Sequence, residues 1–251
     1  MSSQPPPALP DHGAQKSPDI SVVVPTYREC RNLPPLLDQI YDALSGMRET
    51  YEVLIVDEGS DDGTRSTVRN LAEEGHPVRF LLHSAPPDLS RSVVQGFREA
   101  RGRILVCMDA DLSHPPHALP RLIRSIKNDA DFVLASRYLD GSEARGLDPA
   151  RLLLSKLATL CARPFTQVSD PMSGFFALKR SVFRNSAPLQ PYGYKLALEL
   201  LVKTRCSRIE EVPISFRTRR HGSSKLDLEV SWKLLIHLVR LAVYRLRNIF
   251  P

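Results

Sequence analysis

Four carboxylates stand at the ends of two apolar runs. Val53-Leu54-Ile55-Val56 leads into Asp57-Glu58, and Ile104-Leu105-Val106-Cys107-Met108 leads into Asp109-Ala110-Asp111. Each run reads as a buried parallel strand, and ligands of open α/β sheets bind beyond the carboxyl ends of the strands. The sequence therefore predicts Asp57, Glu58, Asp109 and Asp111 along one crevice. Like charges so close are costly until a cation or a hydrogen-bonding ligand arrives. Alternation along an extended chain would put Asp109 and Asp111 on one side, and hard oxygen ligands at that spacing suit Mg²⁺ or Mn²⁺ bridging a diphosphate. A lone D-x-D is also an ordinary acidic strand-to-loop boundary. The paired carboxylates after an equivalent strand favour the metal.

The elements that must position these groups alternate. Strands are expected at 20–24, 52–56, 78–82, 103–108 and 131–135. Between them, helices are expected over 32–45 (Asn32 as cap), 62–74, 90–100 and 115–127, from apolar residues at helical spacing and from proline and cap positions. Strand–helix alternation with short connections means a mostly parallel central sheet with helices on both faces, an α/β, Rossmann-like fold. After Arg137 the rhythm changes, to a helix over 149–162, short strands near 175–179 and 210–213, and a long final helix.

With 251 residues, one large domain is the simplest organisation. Five of the 21 prolines fall in the first 18 residues, a stretch without apolar periodicity, so residues 1–19 are expected to be a disordered tail. That tail lacks the apolar core of a signal peptide. The net charge of +6 suits anionic partners, but no basic block is interleaved with aromatics, which argues against nucleic acid. Cys30, Cys107, Cys161 and Cys206 have no zinc or redox spacing and read as reduced thiols facing the cytosol.

Val23-Val24-Pro25-Thr26-Tyr27, the run from Val56 to Thr64, and the run from Asp109 to Pro115 resemble glycosyltransferase family 2. Ser136-Arg137-Tyr138, Asp170-Pro171-Met172-Ser173-Gly174-Phe175-Phe176 and the run from Arg219 to Leu226 narrow the resemblance to the dolichyl- or polyprenyl-phosphate mannosyltransferases. The resemblance covers 20–226 and implies a glycosyltransferase A-type catalytic domain, with a nucleotide-sugar and metal half over 20–137 and an acceptor half over 138–226. It implies that Pro25, Tyr27 and Glu29 line the donor's base and ribose above Asp57 and Glu58. Asp109 and Asp111 would hold the metal, with Ser113 a further candidate ligand. Three positions depart from the family pattern: Glu58 stands for a second aspartate, Asp88 for a common glycine, and Ser113 for a glutamine ligand in some members.

At the acceptor end, Arg151 and Ser155 share one face of the helix expected to start at Asp148-Pro149. The resemblance assigns them, with Arg137, to the acceptor phosphate, which a planar guanidinium fits well. The basic segment 217–225 contains Gly222-Ser223-Ser224 and reads as a mobile loop. There Arg219, His221 and Lys225 would neutralise the departing diphosphate. Asp111, Arg137 and Lys225 are the expected catalytic groups.

The final helix, 227–251, has no uninterrupted apolar stretch near the ~20 residues that cross a bilayer. Lys233, His237, Arg240, Tyr244 and Arg247 form a polar stripe, with Trp232, Leu235, Ile236, Val239, Val243, Leu246 and Phe250 opposite. An interfacial amphipathic helix is expected. The whole reading is an inverting transfer of mannose from GDP-mannose to dolichyl or polyprenyl phosphate. It would occur peripherally, on the cytosolic face of the cytoplasmic or endoplasmic reticulum membrane, at the lipid surface or on a small membrane-protein partner. Alternatives are a UDP-glucose-dependent glucosyltransferase of the same fold and a non-catalytic nucleotide-sugar binder.

Overall fold

The computed structural model describes residues 17–84, 86–139, 143–144, 158–190, 195–204, 206–216 and 228–249, with the backbone alone for 143–144, 216, 228–235 and 248–249. The first half alternates β1 (Ile20–Thr26), α1 (Leu33–Leu44), β2 (Tyr51–Asp57), α2 (Thr64–Glu73), β3 (Val78–Leu82), α3 (Leu89–Glu99) and β4 (Ile104–Cys107). A 3-10 turn (Pro116–Ala118) then opens α4 (Leu119–Lys127), followed by β5 (Phe132–Ser136). Next come β6 (Glu143–Ala144), α5 (158–162), β7 (Phe176–Lys179), α6 (Arg180–Arg184), α7 (Leu196–Lys203), β8 (Ile209–Pro213), β9 (Ser215–Phe216) and α8 (Leu228–Ile249).

Seven strands form one sheet in the order β3-β2-β1-β4-β7-β5-β8, and β6 pairs with β9. All ladders of the large sheet are parallel except those of β7, which is antiparallel to both β4 and β5. The strand order reverses between β1 and β4, so the carboxyl ends of β1, β2 and β4 open a crevice there.

The middles of the central strands are apolar on both sides because both faces are covered. Val22, Val24, Val53 and Ile55 meet Leu33, Leu36, Leu37 and Ile40 of α1 and Leu119, Leu122 and Ile123 of α4. The alternate residues Val23, Leu54, Val56 and Leu105 meet Val93, Val94 and Phe97 of α3 and Leu196, Ala197 and Leu200 of α7. Each such side chain contributes roughly 1.5–3 kcal/mol by leaving water. Gly96 lets α3 approach the sheet: a Cβ there would collide with Val23 and lie 2.9 Å from Val56 Cγ2.

The helix starts differ from expectation at two places. Asn32 has helical backbone angles and makes no cap bond. Its amide nitrogen instead donates to Glu29 Oε2 at 2.6 Å. Asp88, where the family commonly has glycine, is the N-cap of α3, its carboxylate accepting from the Arg91 amide at 3.1 Å. The short helices α6 and α7 and the β6–β9 pair were not anticipated.

In α8, His237 and Leu241 are buried, and Leu238 packs on the cluster of Ala162, Met172 and Leu198. Lys203 lies over the Tyr244 ring at 5.3 Å. The polar stripe thus turns partly inward. Val239, Val243 and Leu246 remain exposed on the outer side. Among the described residues no helix is long and apolar enough to cross a membrane.

Candidate active site

The loop after β2 is organised around Asp57. This carboxylate is buried, and it accepts from the amides of Gly59 (3.1 Å) and Ser60 (2.8 Å), from Ser60 Oγ (2.6 Å) and from Thr26 Oγ1 (3.2 Å). Of the four acidic side chains expected along the crevice, Asp57 is thus already compensated by hydrogen-bond donors of the protein and holds the loop in shape. Glu58 is half-buried and accepts from Ser92 Oγ of α3 at 2.7 Å. Burial raises its pKa above the usual carboxylate value, and the Ser92 bond opposes the shift without cancelling it. Asp62 behaves oppositely. Burial pushes its pKa up, but hydrogen bonds from Thr64 and the Cys30 amide outweigh it and hold the group below the usual range.

On the β1 side, Pro25 is buried in the strand, Tyr27 is 43% exposed, and Glu29 is half-buried beside Asn32. Arg28 sits against the Tyr27 ring at 5.4 Å and forks onto Asp61 at 2.9 and 3.0 Å, tying this loop to the one after β2.

Asp109 and Asp111 lie beyond β4 in a bend rather than on an extended strand, so the alternation argument for their common side does not hold. The chain reverses at Leu112, whose φ of 62° is the left-handed region, a strained choice for a branched residue. Leu112 is held there by burial in the core. The bend folds His114 back, so that its Nδ1 accepts from the Asp109 amide at 3.0 Å and its Nε2 lies 3.8 Å from Asp109 Oδ2. Asp111 Oδ1 accepts from the amide of buried Ser113 at 3.0 Å.

The reversed direction of β7 completes the site. A strand antiparallel to β4 and β5 starts where they end, and the turn that feeds it, Asp170 to Gly174, lies beside Asp109 and Arg137. The turn is pinned by Ser173 Oγ donating to the Ala135 carbonyl at 2.7 Å, and by Glu211 accepting from the amides of Ser169 (2.8 Å) and Asp170 (3.1 Å). Gly174 presses on the D-x-D bend: an added Cβ would lie 3.3 Å from both Asp109 carboxylate oxygens and 3.2 Å from His114 Cε1.

Arg137 donates to Asp170 through Nε (2.7 Å) and Nη2 (2.8 Å), with Asp170 fully buried. Burial opposes the guanidinium's charge, but the Asp170 carboxylate outweighs it and leaves Arg137 more firmly protonated than usual. Lys195, just before α7, feels the charges of Arg137, Asp170 and Asp109. Burial first, then Arg137, lowers its pKa to about 8.

The structure thus brings Asp109, Asp111, Ser113 and Arg137 to one end of the sheet, near the loops of Tyr27 and Glu58. Asp170, Gly174, His114 and Lys195 join them without having been singled out for a role. The motif around Asp170 marked the first two; Lys195 gave no local signal. The expectations for Arg151, Ser155, Arg219, His221 and Lys225 lie outside the described residues. Among the described residues no group of three or more His, Cys, Asp or Glu is arranged to hold a metal by protein ligands alone.

Residues 21–186 match the family model described as glycosyl transferase family 2. A dolichol-phosphate mannosyltransferase of Mycosarcoma maydis is 42% identical over 239 residues, which are 92% of this chain and 81% of that protein. One of Saccharomyces cerevisiae is 40% identical over 90% of this chain and 88% of its own. One of Pyrococcus furiosus is 38% identical over 88% of this chain, which spans 63% of that protein's length. The crystal structure of glucosyl-3-phosphoglycerate synthase from Mycobacterium tuberculosis with Mn²⁺, UDP-glucose and phosphoglyceric acid has the same fold. It superposes with a TM-score of 0.64 at 20% identity, over 89% of this chain and 79% of that one. Sequence, sheet order and the carboxylate-lined crevice agree: the chain is a glycosyltransferase of family 2, in the branch of the dolichol-phosphate mannosyltransferases.

Proposed function

We propose that this enzyme transfers mannose from GDP-mannose to a polyprenyl or dolichyl phosphate, inverting the anomeric centre and releasing GDP. The observation that carries the reading is the meeting of a metal-type carboxylate pair with an anion-holding arginine. Asp109, two residues from Asp111, lies against the turn whose Asp170 locks Arg137, in a chain about 40% identical to named dolichol-phosphate mannosyltransferases over nine-tenths of its length.

Two carboxylates without a third protein ligand suit a cation that takes its remaining oxygens from a diphosphate and water, as Mg²⁺ does readily. Gly174 leaves the Asp109 carboxylate room for this. Such a cation, Mg²⁺ or Mn²⁺, would supply charge stabilisation to the departing diphosphate; the glucosyl-3-phosphoglycerate synthase structure holds Mn²⁺ beside its nucleotide sugar. Tyr27 and Glu58 would meet the nucleoside, and Arg137 the acceptor phosphate, with Arg151 and Ser155 as further acceptor groups and Arg219, His221 and Lys225 on the leaving diphosphate.

The acceptor's phosphate is mostly dianionic near pH 7 because its second pKa is about 6. Its oxygen attacks C1 of mannose, and the C1–O bond to the diphosphate breaks with its electron pair going to GDP. No proton has to be removed, so no general base is required. Positioning and electrostatics carry the rate.

We assign the reaction to a membrane surface on the cytosolic side, with Val239, Val243 and Leu246 of α8 as the apolar contact, directly on lipid or on a small membrane-protein partner. The test is incubation of the protein with labelled GDP-mannose, UDP-glucose and other nucleotide sugars, each with a short polyprenyl phosphate, then organic extraction. Label in the organic phase from GDP-mannose alone is the expected result. Extraction only with UDP-glucose overturns the donor, and no extractable label with any donor overturns the reaction.

A further inference from the structure

Arg137 is a poor phosphate receptor by itself. Its charge is shared with Asp170, which engages two of its three guanidinium nitrogens, so the pair is close to neutral as a unit. A phosphate monoester brings nearly two negative charges, so a cation beyond Arg137 and the Arg151 already assigned to it would strengthen its hold. Asp109 adds negative charge on the other side, and the metal it would hold serves the donor's diphosphate rather than the acceptor.

Lys195 meets that need in position and in chemistry. It is half-buried at the head of α7, and no hydrogen bond or ion pair engages its amine among the described residues. The groups whose charges act on it are Arg137, Asp170 and Asp109. The helix it precedes is docked beside the Asp170 turn: Leu198 packs with Met172 of that turn and with Ala162, while Leu196 and Leu200 enter the core with residues of β5 and β7. Burial and the Arg137 charge disfavour the ammonium more than Asp170 and Asp109 support it, a balance that an arriving anion would redress.

We propose that Lys195 is a further cation of the acceptor site and binds, together with Arg137, the phosphate monoester of the prenyl acceptor. The inference rests on the reading that the acceptor is a prenyl phosphate, and it adds a residue to that site. Asp170 is then a positioning residue, holding the arginine's fork in place. The compact ammonium supplies a point charge that the fork cannot.

The test uses the full chain in detergent. Farnesyl phosphate binding is measured by calorimetry, without donor, for the wild type, Lys195→Met, Lys195→Gln and Lys195→Arg. KM values for farnesyl phosphate and for the sugar donor are measured beside it. Loss of one charge-assisted contact predicts affinity and acceptor KM worse by roughly tenfold to hundredfold in the Met and Gln variants. Donor KM should stay within about twofold, and Lys195→Arg, which keeps the charge but not its compact shape, should recover only part of the loss.

Farnesyl phosphate affinity unchanged in both neutral variants overturns the inference, as does a rise in donor KM with acceptor KM spared. Should one neutral variant fail to fold, the other against Lys195→Arg decides. If the wild type binds GDP-mannose but not farnesyl phosphate, the acceptor reading itself fails, and the role of Lys195 with it.

Discussion

Removing the Asp170 carboxylate should separate what it does for the fold from what it does for catalysis. Asp170 is fully buried, and the Arg137 side chain is 16% exposed, with two side-chain hydrogen bonds between them at 2.7 and 2.8 Å and a third from the Arg137 backbone amide at 3.2 Å. In Asp170→Ala the guanidinium keeps its charge in a site largely closed to water and loses its compensation. Breaking one side of a buried pair costs about 3–5 kcal/mol. For a domain of this size that is a fall in Tm of roughly 6–20 °C. Asp170→Asn retains an acceptor but no charge, so it should fall between the two.

The same change frees Arg137 to rotate, and kcat/KM for lipid-linked product should fall at least about hundredfold, since small misplacements of a positioning group cost that much. The double variant Arg137→Met/Asp170→Leu makes the distinction. Two apolar side chains can replace a buried pair at little cost, so Tm should return to within a few degrees while activity stays lost. Thermal unfolding followed by circular dichroism, with turnover measured well below the lowest Tm, checks both parts. If Asp170→Ala melts with the wild type and turns over normally, the pair neither supports the fold nor aims the arginine, and the reasoning is wrong.

Asp111→Asn should leave Tm nearly unchanged and lower kcat by on the order of hundredfold or more, because size is kept and the charge toward a metal is lost; chelation should do the same to the wild type, and full activity in chelator would remove the metal. Gly174→Ala places a methyl 3.3 Å from both Asp109 oxygens, so the Mg²⁺ or Mn²⁺ concentration for half-maximal activity should rise roughly tenfold; an unchanged activation curve counts against the bend as a metal site. Burial raises the Glu58 pKa in the folded protein. The folded state therefore holds its proton to higher pH than the unfolded chain, and stability falls as pH rises between the two values. Glu58→Gln should gain stability over the wild type progressively as pH rises from below the ordinary carboxylate range through the raised value of the folded state, as urea unfolding would measure; a pH-independent difference refutes this. Val239→Asp with Val243→Asp, both at exposed positions, should cut liposome flotation roughly tenfold with turnover on a water-soluble acceptor intact; undiminished flotation would move the membrane contact off α8.

The sheet's first half was legible in the sequence for a physical reason. Val22-Val23-Val24 and Val53-Leu54-Ile55-Val56 are apolar on both faces, which only a strand covered on both sides requires. The spacing of Leu33, Leu36, Leu37 and Ile40 marks one face of a helix. Strand ends carrying carboxylates then locate a crevice, because parallel topology sends every such end to the same side. Alternation and periodicity are local properties, so a linear sequence carries them.

Tertiary structure decided how the crevice is furnished. Whether a carboxylate is open or spent depends on which donors fold back to it: Asp57 is taken up by Gly59, Ser60 and Thr26, while the Asp109 bend is shaped by His114 and by the left-handed Leu112. Nothing local in Phe176–Lys179 says that this strand runs against its neighbours. Yet that reversal carries Asp170 and Gly174 to Arg137 and Asp109, about thirty to sixty-five positions away in sequence. The orientation of α8 is of the same kind. Its stripes follow from the sequence, but burial of His237 and Leu241 with exposure of Val239 and Val243 depends on what the rest of the chain offers to pack against. Lys195 is the extreme case, a lysine whose surroundings of Arg137, Asp170 and Asp109 exist only once α7 docks on the turn.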